Sequence, residues 1–356
     1  MFIYHNLPLS VRPTYHHNLR SAIVGGAAYG LYGMAGVVSR KVLDAPGWQI
    51  ALLAAAPVAG SALCMFWAKL SVGRPKMPFV LYPSLIARLP LIAAGFVKSA
   101  IGFTLLVSLA PFIWSAAQPA FASIQRSNYP AERRGHITGT LSVWSLMAAS
   151  ATAFIAGRLL DYQASMYLVI FPISGLLGMM SALRFARIKV RGERHLNEEA
   201  VASNSKGALA PFKDLRFMVF MLSFMLAGSA NLMAMPVLTI FLTDDLNVNF
   251  AQASVALSVL PQAATLIGMP LWGKVLDRNN PVALRLIANV GFAIVFFLFY
   301  VAALRGSLNF VYAARCVEGA IMGLASLLWT LGIMYFAPRS HVAIYMLSLI
   351  HISEPT

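Results

Sequence analysis

Charge is scarce in this 356-residue chain: Asp, Glu, Lys and Arg make up 11% of it, and only 12 residues are acidic. Ordinary soluble domains carry about 25% charge. With 59% hydrophobic residues beside it, so little polar side chain cannot cover a globule in water, which excludes a soluble enzyme. Cysteine is nearly absent as well. Cys64 and Cys316 both lie inside apolar runs, which excludes a disulfide framework and a cysteine zinc site. No G-x-x-x-x-G-K-[ST] loop occurs, so ATP held in that way is not the motor. His, Asp and Glu nowhere gather with metal-ligand spacing, and the adjacent Asp244 and Asp245 have no such support. Neither a metal, a cofactor nor membrane-embedded catalysis is therefore expected.

Apolar runs are what the chain has in abundance. Ten of them reach the roughly 17 to 25 residues that cross ~30 Å of hydrocarbon: 21–39, 48–70, 79–97, 101–124, 137–157, 163–183, 217–242, 251–272, 282–304 and 308–336. An eleventh starts near Val342. Strands of a membrane barrel are ~10 residues long with alternating polarity, so these segments are expected to be helices. Met1 to Arg20 is polar, without the short apolar core of a cleavable signal.

The formal charge of +15 suggests nucleic acid only until it is sorted by loop. Twenty of the 27 Lys and Arg residues fall on the side of the N-terminus. Five (Arg40, Lys41, Lys98, Arg158 and Arg305) fall on the other side, and Arg88 and Arg315 lie within spans. Such a bias places the N-terminus in the cytoplasm. It leaves no basic stripe for nucleic acid. A multi-pass membrane protein is expected, with lipid as its surroundings.

The one long polar interval, Arg184 to Asp214, separates six spans from the rest and reads as a tether. The resulting boundaries are an amino-terminal half at 1–185, a linker at 186–213, a carboxy-terminal half at 214–347 and a tail at 348–356. An internal repeat supports the division. Phe66, Trp67, Ala68, Lys69 and Leu70 end the second span, and Leu271, Trp272, Gly273, Lys274 and Val275 end the eighth, at a constant offset of 205 residues. Two parallel six-helix halves follow. The offset sets Thr356 opposite the middle of the fifth span, so the second bundle is expected to be incomplete, with ten to eleven helices present. The residues after Leu347 abandon the apolar pattern where a span should continue, and they are expected to be a non-native tail.

Gly273, Lys274, Val275, Leu276, Asp277 and Arg278, with Arg285 beyond, resemble the G-x-x-x-D-R loop between the second and third helices of each half in the major facilitator superfamily. The first-half copy has Val72 where the Asp would stand. Pro130 to Gly135 resembles the P-x-x-R-G loop of bacterial members, and Arg315 to Gly319 resembles their R-x-x-x-G pattern, here on the tenth span. The fifth span lacks the G-x-x-x-G-P signature of drug antiporters. This resemblance implies an all-α polytopic fold of two pseudo-symmetric six-helix bundles and secondary transport of a small solute by alternating access in a bacterial inner membrane. A proton is a candidate coupling ion, and the protein is expected to be a monomer. It also implies a gating role for Gly273, Asp277 and Arg278. In this family the first, fourth, seventh and tenth helices line the cavity, which makes Tyr29, Tyr32, Trp114, Gln118, Asn231 and Trp329 candidate substrate contacts, with Gln262 beside them.

Three charges inside spans carry further expectations. Arg315 and Glu318 are three residues apart, hence on one helical face, and burial so deep requires that they pair. They read either as a proton or substrate-charge site or as a structural pair. Arg88, between Pro83 and Pro90, either binds an anionic substrate or reaches carbonyls freed by the proline kinks. Gly26 with Gly30, and Gly319 with Gly323, have the spacing of close helix packing. A membrane-embedded enzyme and a non-transporting scaffold are the competing classes, and a scaffold should have a dry interior.

Overall fold

In a computed structural model, the structure describes residues 8, 11–192, 215–276 and 278–336. Among these residues every regular element is helical. Nine helices are long and apolar enough to cross a membrane. Hydrocarbon offers no partner to a free N–H or C=O, so an isolated apolar segment must satisfy its backbone internally, and a helix does this.

In chain order the spans are α1 (Arg12–Lys41), α3 (Lys76–Ala94), α4 (Ala100–Asn128), α5 (Ala131–Tyr162), α6 (Tyr167–Phe185), α7 (Leu215–Asp245), α8 (Phe250–Leu276), α9 (Pro281–Arg305) and α10 (Leu308–Phe336). The run expected to be one helix over 48–70 departs from this pattern. It forms a tenth element, α2, in two pieces, Gly47–Ala62 and Cys64–Ser71. Leu63 closes the first piece with a tight bond from its N–H to the Gly60 carbonyl, 3.0 Å. Pro57, nearly two turns earlier, has no N–H for the ladder. The tenth crossing is therefore a broken one. The eleventh run and the tail at 348–356 lie outside the described residues.

Small residues set which helices touch. A Cβ on Gly26 would lie 2.1 Å from the Ser145 carbonyl oxygen, and one on Gly30 would lie 2.1 Å from that of Ala149. The backbones of α1 and α5 thus meet along the expected G-x-x-x-G stripe. On its other side α1 binds α6 through hydroxyls: Ser181 Oγ donates to the Ser21 carbonyl and Ser174 Oγ to that of Ala28, each at 2.8 Å. Within the first half α2 and α3 both pack on α4. Within the second, α8 and α9 both pack on α10. Gly60 makes the first of these contacts, against Phe112 and Ser115 of α4, and Gly319 its counterpart, against Pro261 of α8. The second and third helices of each half therefore share one packing plan, as a repeat requires.

The core is distributed unequally along the membrane normal. Toward the face that carries Arg40 and Asp244, here the far face, one buried cluster joins both halves: Met34, Val37 and Val38 of α1 pack with Leu238 and Leu242 of α7, Ala253 and Ala256 of α8, and Val311 of α10. Toward the face of the N-terminus the described core divides. Val11, Tyr15, Ile137 and Leu141 form one cluster, and Val80, Ile124 and Phe185 a second. A third, built on Phe217, Phe220, Leu284 and Leu324, belongs to the second half. Each of these three clusters draws on a single half. The halves are fused at the far face and separate toward the N-terminal face.

Candidate functional site

Where the halves part, a stripe on α1 shows the transition. Gly36, Gly33 and Tyr29 are spaced to lie on one helical face. A Cβ on Gly36 would sit 3.3 Å from Thr239 of α7, and one on Gly33 would sit 3.2 Å from Ser258 of α8. One turn further toward the N-terminal face, Tyr29 is 61% exposed. The same face that touches the second half at Gly36 and Gly33 looks into open space at Tyr29. Its ring is 6.2 Å from that of Tyr32. Across the cleft, Ser150 of α5 donates to Oε1 of Gln262 on α8, 2.8 Å, a polar bridge between halves deep within both spans.

The far face closes this cleft with charge. Arg40 of α1 forms a two-pronged ion pair with Asp244 at the end of α7, its Nε 3.0 Å from both carboxylate oxygens. Lys41 Nζ donates to the Val248 carbonyl. Asp161, at the end of α5, receives the first N–H groups of α8: Phe250 N–H to Oδ1 at 2.6 Å and Ala251 N–H to Oδ2 at 3.0 Å. A carboxylate at a helix N-terminus satisfies donors without intrahelical partners and complements the helix dipole. Here it does so across the boundary between the halves. Asn249 and Gln252 complete that terminus with a capping box. On the N-terminal side, the described contacts stay within a half. Asn18 Nδ2 donates to the Tyr129 hydroxyl at 2.9 Å. Burial pushes that phenol up to about 12, against the opposing pull of the Asn18 bond.

The other expected site residues are placed as follows. Trp114, exposed, and Gln118, half-buried, flank a tight turn at Ser115–Ala117 that breaks α4 between Pro111 and Pro119. Asn231 lies half-buried along α7. Trp329 stacks edge-on against Phe224 at 5.0 Å. It belongs to the packing of the N-terminal-face cluster, together with Arg285, whose guanidinium lies 3.6 Å from the centre of the Phe224 ring. Arg315 and Glu318 do pair, and both are buried, at 4% and 3% exposure. Arg315 also donates to the carbonyls of Ala256 (2.9 Å) and Leu257 (3.1 Å). Those two oxygens belong to a widened turn of α8, Val255–Val259. Where a helix widens, carbonyls come free of the regular ladder, and Arg315 takes them up.

Of the gating motif, Gly273 lies on α8 and Arg278 is exposed just past its end; Asp277 lies outside the described residues. A Cβ added to Gly273 would meet nothing within 4 Å. Sequence reasoning missed Asp161 and the Arg40–Asp244 pair. Their only local signal is charge at the two ends of apolar runs, and their partners are 89 and 204 residues away.

Paired helical bundles joined at one face around a polar cleft define a polytopic helical membrane protein with an internal repeat. Comparison with known proteins then gives the family. The profile of the Major Facilitator Superfamily matches residues 129–349, more than half of the chain. The chain belongs to the major facilitator superfamily. No curated protein sequence matches it significantly. Among solved structures it is similar to a POT family transporter in complex with a thioalcohol-conjugated peptide (TM-score 0.70, 12% identity, 95% of this chain and 87% of that one). It is also similar to the nucleoside transporter NupG (0.68, 13%, 94% and 86%). A third is the xylose transporter XylE from E. coli in a partially occluded inward-open conformation (0.65, 12%, 96% and 91%). Identities this low speak for the fold alone.

Proposed function

We propose that this protein is a secondary transporter that carries a small organic solute by alternating access, with 1–185 and 214–347 as its moving halves and 186–213 as their tether. The observation that carries the proposal is the division of the core: one shared cluster at the far face, separate clusters toward the N-terminal face. Packed cores are bistable rather than continuously deformable, so two halves held at one end can exchange that contact for one at the other. Positive-inside bias orients the N-terminal face toward the cytoplasm, which makes the described state inward-open. Family membership and the solutes named for similar folds, nucleoside, xylose and peptide, support a small-molecule cargo. Tyr29, Tyr32, Trp114, Gln118 and Asn231 are the proposed solute contacts. Glu318 is the acidic residue we assign to proton movement, released when Arg315 shifts. A D-xylose-proton symporter among the similar folds supports that coupling. A monomer suffices for this mechanism. An exposed aromatic within the span weighs against a non-transporting scaffold, which has no use for a wet interior.

Cross-linking tests the proposal. With Arg40→Cys and Asp244→Cys joined by a short bifunctional maleimide in liposomes, solute exchange should cease and return on cleavage of the linker. Exchange that continues through the locked far face would defeat it.

A further inference from the structure

Among the described residues Arg88 has no counter-charge. It sits at the break in α3 between Lys76–Ile86 and Leu89–Ala94. Its side chain runs over Gly178 of α6, where a Cβ would lie 2.5 Å from Nε. That Nε is buried and makes no hydrogen bond. Among the described residues no carbonyl takes up the guanidinium, so the proline-kink role expected of it is not the one it plays. Among the described residues the one titratable group within electrostatic reach is the Tyr32 hydroxyl. The sequence makes this isolation deeper still. Between Asp44 and Glu132 the chain holds no acidic residue, and α1, α3, α4 and α6 hold none at all. The two arginines buried in the spans differ: Arg315 has Glu318 and two carbonyls, and Arg285 has Ser223 and the Phe224 ring.

Charges within a membrane persist where they are paired or used. Arg88 lies within electrostatic reach of Tyr32, and the Tyr32 ring is 6.2 Å from that of Tyr29, which is exposed. The geometry points to an organic monoanion as the solute, its carboxylate held by Arg88 and the Tyr32 hydroxyl and its apolar body against the Tyr29 ring. One unpaired cation calls for one negative charge. The planar fork of arginine makes two parallel bonds to a carboxylate, and a phenol donates a third. Gly178 leaves the room through which the side chain reaches this position. The inference rests on the transporter proposal only for the word solute. The binding site itself stands on the isolation of Arg88.

The test reads binding at equilibrium, so a failure of transport leaves it independent. The purified full chain in phosphatidylcholine nanodiscs is unfolded thermally with benzoate or octanoate, and with benzamide or octanamide as uncharged matches. Either carboxylate should raise the midpoint while both amides leave it unchanged. Arg88→Lys should weaken carboxylate binding about tenfold, because a point charge cannot reproduce the fork. Arg88→Met should abolish the response and, by removing an unpaired charge from within the span, raise the midpoint of the ligand-free protein. A structural arginine would behave oppositely. A lowered ligand-free midpoint for Arg88→Met would overturn the inference, as would carboxylates and amides acting alike or a carboxylate response that survives the substitution. Nanodiscs containing phosphatidylglycerol separate the other source of a singly charged oxyanion. If that lipid gives an Arg88-dependent shift and benzoate adds nothing to it, the site holds a headgroup and the solute assignment fails.

Discussion

At the scale of single residues, the energetics turn on what each buried polar group has beside it. Glu318 neutralises Arg315, and both are fully enclosed. Removing one member of such a pair strands the other and costs about 3–5 kcal/mol, whereas replacing both with apolar groups is often neutral. Glu318→Gln should therefore lower the yield of folded protein in detergent, and adding Arg315→Met should restore most of it. If the single variant keeps full yield, Glu318 is not the partner that holds Arg315. Glycines act at the same scale through steric exclusion. A Cβ on Gly30 would also fall 2.2 Å from Thr152 Oγ1, with no flexible atom on the backbone side to yield. Gly30→Val is expected to force α1 off α5 and to cost about 1–3 kcal/mol, the usual range for overpacking, read as a lower unfolding midpoint. Gly273→Ala, at a position with open space around it, should leave that midpoint unchanged.

Elements add what residues alone do not decide. Nine of the ten apolar runs appear as helical crossings, several with a local break, because hydropathy over about 20 residues measures the same quantity that the bilayer selects. Boundaries were less legible. The run read at 137–157 is a helix from Ala131 to Tyr162, since helical hydrogen bonding continues into polar sequence after hydrocarbon ends. Breaks were less legible still. Pro57 marks a weak point in α2 but not the position of the break at Leu63, and the widened turn at Val255–Val259 is met by Arg315 from another helix, a partner that no local pattern announces. The N-terminus of α8 shows the same limit: its capping box is readable at Asn249 and Gln252, but Asp161, which joins it to the other half, is not. Replacing Asp161 with Asn keeps the shape and removes the charge that two N–H groups receive. Such charge-assisted contacts are worth about 1.5–3 kcal/mol, so the far face should open roughly tenfold or more in relative population. A far-face maleimide reacting with a cysteine at Val248 would report it, and unchanged reactivity would count against an inter-half role for Asp161.

For the molecule as a whole, the sequence made the class legible and left the mechanism's geometry hidden. Scarce charge, ten apolar runs and a 205-residue repeat specify two helical bundles before any coordinate is known. The candidate contacts Tyr29 and Tyr32 are brought together at the cleft; Trp329 joins a packing cluster instead. That distinction depends on helix rotation, which packing sets and hydropathy does not. The conformational state was equally invisible, because it lies in which end of two otherwise similar bundles shares a core. Accessibility of position 29 tests this account most directly. In a Tyr29→Cys variant with Cys64 and Cys316 changed to Ser, an impermeant maleimide should react from the N-terminal face and be excluded from the far face while the Arg40–Asp244 pair is intact. Labelling from the far face alone, or only by lipid-soluble reagents, would contradict a cleft that opens between the halves toward the N-terminal side.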